Sequence, residues 1–271
     1  MLKTYFPSPG SNGLKRKLTD SEQVRTIAGM DSEKLDKLKR WLLESGSNKH
    51  DFAAVVIRHG YIVLEIEKGL GTNDLPDKVG VASCAKAICA TVLAIASERS
   101  QQGLAPRKMT FDDPAFQYIP WAEPLSDPRK SKITVKQLLN HTSGLVGEWW
   151  QNEERFVKNH GPWEWVLGHS GDWRTEKLIF EPGTDLEYST HGPYHAALVC
   201  EGVTWMPYDR FAIEHLFKPL GIEKWWFEYF NGDQKHGRHP SHSLALSARA
   251  MARIAYCMIR NGKWRGEQII P

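Results

Sequence analysis

Ser83 and Lys86 stand three residues apart at the head of the most apolar stretch of the chain, where only Thr91 is polar between Ala87 and Ala96. Residues at i and i+3 share one face of a helix, so the serine hydroxyl and the lysine amine can meet. A lysine at the mouth of a buried helix is costly to keep charged. Desolvation and the partial positive charge of the helix N-terminus both favour the neutral amine. A neutral Lys86 can take the proton of Ser83, while free N–H groups of the first turn stabilise the alkoxide. The competing reading is structural: Ser83 caps the helix and Lys86 reaches to water. Ser-x-x-Lys is a weak pattern, expected about once by chance in a chain of this length. Here it occurs only at Ser83.

The elements that must hold this pair follow from the rest of the chain. With 271 residues, 41% hydrophobic and 25% charged, the sequence has the composition of a globular protein with a large core. A net charge of +3 with only short basic clusters gives no reason to expect a nucleic-acid partner. The apolar run is shorter than the about 20 residues that cross a bilayer, so no membrane span is expected. The four cysteines (Cys84, Cys89, Cys200, Cys257) lack metal spacing and read as reduced core residues. The histidines between His236 and His242 lie in a stretch broken by Gly and Pro, and the pair His191 and His195 brings no carboxylate or cysteine partner at metal spacing, so no metal and no cofactor is expected. The 11 tryptophans include Trp149, Trp150, Trp163, Trp165 and Trp173 in one stretch. Core packing is their first reading, and lining an apolar substrate pocket is the second. The chain opens without a secretory signal pattern, so the protein either stays inside the cell or has had its export signal removed.

In chain order, residues 1–30 read as an extended arm. Asp31 or Ser32 caps a helix with Leu35, Leu38, Trp41 and Leu42 on one face. Two apolar runs, 52–58 and 61–67, flank His59-Gly60 as an antiparallel hairpin. The Ser83 helix follows, and then a proline-rich loop. Thr134-Val135-Lys136-Gln137 forms a capping box before a short helix that ends at His141-Thr142-Ser143-Gly144. Glu181-Pro182-Gly183-Thr184 is a turn, and a small-residue helix follows Tyr188. Pro207 begins a further helix with Phe211, Ile213, Leu216 and Phe217. Ser247 caps another with Met251, Ile254, Ala255, Met258 and Ile259 facing inward.

Four stretches in fixed order resemble the serine β-lactamase and penicillin-binding superfamily, in particular its class C-like branch of esterases, peptidases and amide hydrolases. They are Ser83-Cys84-Ala85-Lys86; the run Ile133 to Leu145, which contains Leu-Leu-Asn-His-Thr-Ser-Gly-Leu; Glu181-Pro182-Gly183 through Tyr188-Ser189-Thr190; and Ser243 to Arg249. The resemblance covers roughly residues 50 to 271. It implies an α+β fold, a three-layer α/β/α arrangement around an antiparallel sheet with a helical subdomain. It divides the chain into an arm and helix over 1–48 and a hydrolase domain over 49–271.

The resemblance also implies an acyl-enzyme on Ser83, with Lys86 as base or proton relay. Tyr188, in the place of the family's Tyr-x-Asn tyrosine, would share the proton and deliver it to the leaving group. Thr190 stands where the family has asparagine, and its shorter side chain offers a single hydroxyl for substrate amides, which favours an ester-like substrate. Trp149 and Trp150 are expected in the wall of the acyl pocket. The family's third motif, Lys-Thr-Gly or His-x-Gly on a later strand, has no counterpart before Pro271, so the domain is expected to lack C-terminal strands and one oxyanion-hole donor. Loss of one such donor typically costs about a hundred- to thousand-fold in rate. The expected function is therefore a serine hydrolase acting on a small ester or amide without cofactor or metal. The alternative is a catalytically impaired or non-catalytic scaffold of the same fold.

Overall fold

The computed structural model describes residues 17–45, 50–76, 80–147, 162–229 and 240–271. The chain divides into two compact units. One comprises Met1–Val81, Leu216–Trp226 and Ala245–Pro271, and the other comprises Ala82–His215 and Phe227–Leu244. Helices and strands are mixed, as the α+β expectation requires. The described strands pair as three two-stranded sheets, β1 with β2, β3 with β4 and β5 with β6.

In the first unit, α1 (Ser21–Thr26) and α2 (Ser32–Glu44) precede the hairpin of β1 (Phe52–Arg58) and β2 (Tyr61–Lys68). The hairpin turns at His59 and Gly60, with φ of 52° and 85°, the left-handed pair that a two-residue turn between twisted strands demands. Residues 17–30 are not the loose arm expected from the sequence. Asp20 caps α1 by accepting the Glu22 N–H, and Leu18, Val24 and Ala28 enter the core beside Leu35, Val63, Leu64 and Ile66. The overlooked signal was the Asp20 cap followed by an apolar pair at i and i+4, Val24 and Ala28. Asp31 caps α2 as expected, but the buried face is narrower than the sequence reading. Leu35, Leu42 and Leu43 face the core, whereas Leu38 and Trp41 lie on the flank turned to solvent.

Helix α9 (Ala248–Ile259) packs on β1 and starts at Ser247, whose side chain accepts the Ala250 N–H. Its buried line is Ala250, Ile254 and Cys257, spaced i, i+4, i+7. Ala255, Met258 and Ile259 fall on the other side and are exposed, which corrects the expected inner face. Arg249, at the start of α9, pairs with the buried Glu65 of β2, which also accepts from Lys17 and from the Thr72 hydroxyl. Hydrogen bonds from Thr72 hold the neighbouring Glu67 carboxyl below its ordinary range. The Ser-Ala-Arg stretch therefore ties strand, loop and helix together. β5 (Lys263–Trp264) and β6 (Glu267–Gln268) close a hairpin through Arg265 and Gly266.

The second unit is built around two helices, α3 (Cys84–Gln101) and α7 (His191–Thr204), which pack on each other. Ile88, Val92, Leu93 and Ile95 of α3 are buried, each contributing about 1.5–3 kcal/mol. Around α7 lie α4 (Val135–Leu139), α5 (Pro162–Val166) and α8 (Tyr208–Ala212), while α6 (Trp173–Glu176) contacts α5. Two glycines permit the close approach. A Cβ on Gly192 would meet the Leu138 carbonyl, and one on Gly202 the Tyr118 carbonyl. The expected capping box is present, with Thr134 and Gln137 each bonded to the other's backbone N–H. A π-helical turn over Ile213–Phe217 continues α8. β3 (Trp225–Tyr229) and β4 (Pro240–Leu246) complete the elements. The cysteines are all free. Cys89, Cys200 and Cys257 are buried as expected, and Cys84, in the outward-facing first turn of α3, is exposed.

Candidate active site

The first turn of α3 sets the serine. Ala82 has a left-handed backbone, φ 46°, and its carbonyl accepts the Ala85 N–H at 3.0 Å. A non-glycine residue in that region costs on the order of 1–2 kcal/mol. Ser83 follows at the N-cap, yet its side chain makes no capping hydrogen bond, so the structural reading of the serine as a cap does not hold. Its Oγ accepts instead from Lys86 Nζ at 3.2 Å and from the Tyr188 hydroxyl at 2.6 Å. Lys86 Nζ also lies 4.8 Å from the centre of the Tyr188 ring. The three side chains thus meet at one oxygen.

Their surroundings differ from the sequence expectation in one respect. Lys86 is half-buried, and Ser83 and Tyr188 are exposed, so the trio sits at the surface and not in a dry mouth. The reason lies in the packing of α3. Its buried residues face α7 along the body of the helix, whereas Ser83, Cys84 and Ala87 point outward.

Tyr188 reaches Ser83 from a segment with no regular structure, and its position is set by neighbours. The Glu187 N–H donates to the His141 carbonyl at 3.0 Å, and the Ser189 N–H donates to His141 Nδ1 at 3.3 Å. Ser189 is buried, and its hydroxyl donates to the Val146 carbonyl at 2.8 Å while accepting the His191 N–H at 3.2 Å. Upstream, the Gly183 N–H donates to the Thr142 carbonyl at 2.7 Å and the Ile179 N–H to the Gly144 carbonyl at 2.9 Å. Arg129 bonds Asp127, Glu181 and the Leu178 carbonyl, and Asp127 accepts the Leu178 N–H. The Arg129 guanidinium holds the Asp127 carboxyl well below the usual carboxylate range.

In the same unit, Lys130 is almost fully buried, with its ammonium donating to Ser126 Oγ and the Thr175 carbonyl. Burial pulls it down to about 8. His191 and His195 on α7 are also fully buried. His195 contacts two carbonyl oxygens, those of His191 and Trp163, through its two ring nitrogens, whereas neither ring nitrogen of His191 has a hydrogen-bond partner. Burial lowers His191 to about 3 and His195 to about 4.

The remaining sequence-predicted positions fare differently. Thr190 is half-buried at the N-cap of α7, two residues past Tyr188, and its carbonyl accepts the Tyr194 N–H. Trp149 and Trp150 lie outside the described residues. Further along the same stretch, Trp163 and Trp165 are core residues packed on Tyr194 and His191, and Trp173 is exposed. Sequence reasoning treated His141 only as the end of a helix. The signal available in the sequence was its place just after a capped helix, where the structure shows a left-handed backbone, φ 63°.

The family model described as Beta-lactamase matches residues 51–267. Protein flp of Staphylococcus aureus (strain MW2) is 27% identical over 189 residues, which is 67% of this chain and 36% of that protein. The chain therefore spans little more than a third of that relative's length. Among solved structures, the octameric penicillin-binding protein homologue from Pyrococcus abyssi superposes with a TM-score of 0.61 at 20% identity, covering 89% of this chain and 58% of the other. D-amino acid amidase from Ochrobactrum anthropi SV3, complexed with L-phenylalanine, does so with a TM-score of 0.60 at 19% identity, covering 88% and 71%.

Proposed function

The chain belongs to the beta-lactamase family, and from that premise we propose that Ser83 is the nucleophile of a serine hydrolase working through an acyl-enzyme. The observation that carries this reading is the convergence of Lys86 Nζ and the Tyr188 hydroxyl on Ser83 Oγ. In the reacting state the serine proton passes to the Lys86–Tyr188 pair as Oγ bonds to the substrate carbonyl carbon. The tetrahedral adduct collapses when that pair returns a proton to the leaving alcohol or amine. Water then adds to the ester on Ser83, giving up its proton to the same pair, which returns it to Ser83 Oγ as the acid departs. The helical backbone of Ser83 itself, φ −64° and ψ −9°, keeps its hydroxyl out of the capping role, which needs an extended residue, and leaves it to its two partners.

The substrate class is a small ester or amide. The names of the structural neighbours include an amidase. Thr190, offering one hydroxyl in place of an amide, favours an ester. No cofactor enters this scheme.

The test is covalent. A fluorophosphonate probe followed by peptide mass spectrometry is expected to mark the Ser83 peptide, and Ser83→Ala to abolish the mark. Tyr188→Phe and Lys86→Met should slow labelling by about 10²–10⁴-fold, the usual share of a general acid–base group. A wild-type chain that stays unlabelled, or a label that survives in Ser83→Ala, would sink the reading and favour a scaffold.

A further inference from the structure

We propose that His141 is the positioning residue for Tyr188, acting as a neutral imidazole that grips the backbone on both sides of the tyrosine and supports its ring. This rests on the reading of Ser83, Lys86 and Tyr188 as the reacting groups. Three contacts converge on one residue. The His141 carbonyl takes the N–H before Tyr188, at 3.0 Å from Glu187, and its Nδ1 takes the N–H after it, at 3.3 Å from Ser189. The His141 ring lies 4.6 Å from the Tyr188 ring, the two planes inclined at 39°. Carbonyl and side chain can serve neighbouring residues of the same segment because the backbone of His141 is left-handed, φ 63°.

The chemistry of the grip is specific. An imidazole nitrogen that accepts an N–H carries no proton, so the hydrogen of His141 is on Nε2. Without the side chain, Ser189 would still be tied to Val146 and to the His191 N–H through its hydroxyl. The segment would keep its course, while the peptide after Tyr188 lost one anchor and the phenol ring lost its support. The 2.6 Å contact between the phenol and Ser83 Oγ is the short end of the range for two hydroxyls, and such a contact tolerates little drift.

His141→Gly accepts the left-handed backbone freely and removes only the side chain. His141→Asn also tolerates that conformation and sets an amide oxygen near the place of Nδ1. Each is made in the full 271-residue chain, alone and together with Tyr188→Phe, and the rate of fluorophosphonate labelling at Ser83 is measured. His141→Gly is expected to slow labelling ten- to hundredfold alone and less than twofold in the Tyr188→Phe background. His141→Asn is expected to recover most of the loss. An equal slowing in both backgrounds would show a general structural role and overturn the proposal, as would an unchanged rate in His141→Gly. Should His141→Gly fail to fold, His141→Asn decides alone: a rate within about threefold of wild type supports the grip, and a larger loss overturns it. Failure of the nucleophile assignment is distinguishable, because the wild-type chain would then carry no label on Ser83.

Discussion

Lowering the pH from 7 to 5 is expected to destabilise the second unit through the two buried histidines of α7. His191 and His195 are held at about 3 and about 4, chiefly by burial, against the value of 6.5 for an exposed imidazole. Between those values and 6.5 the unfolded chain binds protons that the folded chain refuses. Stability is therefore lost as pH falls through 6.5, and the loss levels off only below the folded values. At pH 5 each histidine costs about 2 kcal/mol relative to pH 7, or about 4 kcal/mol together. A typical folded domain has about 5–15 kcal/mol in hand, so the effect is large. His215, also lowered by burial, adds in the same direction.

Urea titrations followed by tryptophan fluorescence at pH 7, 6 and 5 measure it. With a slope of about 2–3 kcal/mol/M the midpoint should fall by about 1–2 M. The control is His191→Leu. Neither ring nitrogen of His191 has a hydrogen-bond partner, so exchanging the imidazole for an apolar side chain of similar volume should shift stability by about 1 kcal/mol or less at pH 7. It should also remove about half of the acid effect. A midpoint that does not move between pH 7 and 5, or a His191→Leu variant with the full acid effect, would refute the argument.

Two further changes test the frame around the site. Gly202→Ala sets a methyl group against the Tyr118 carbonyl where α7 passes closest, and should cost about 1–3 kcal/mol in urea or thermal unfolding. Thr134→Ala removes one half of the capping box of α4, and should cost about 1 kcal/mol by the same measurement with Ser83 labelling retained.

Legibility in the sequence followed how local the cause was. Caps at Asp31, Thr134 and Ser247 and the His59-Gly60 turn depend on a few adjacent residues, and the structure shows each of them. The meeting of Ser83 with Lys86 is equally local, since one helical turn joins them. Tyr188 is 105 residues from Ser83, and its placement came from family resemblance, because spacing says nothing across such a gap. What the sequence could not show was which side of an apolar helix finds a partner. Leu38, Trp41, Met258 and Ile259 fit a helical stripe yet lie exposed, because the neighbours of α2 and α9 cover a narrower arc than the pattern offers. The half-open setting of Lys86 escaped for a similar reason. Composition describes the body of α3 as buried, and only the packing tells where that burial stops.

The left-handed backbone at Ala82 ties reactivity to the rest of the second unit. A methyl-bearing residue stays in that conformation only while its surroundings over-determine it, and the contact the structure shows there is the Ala82 carbonyl accepting the Ala85 N–H in the first turn of α3. Loosening that turn would release the tip of the helix. Ser83 would then be free to move toward the extended backbone of an ordinary cap, away from its two partners. Chemical competence would then depend on the first turn of α3 keeping its present shape.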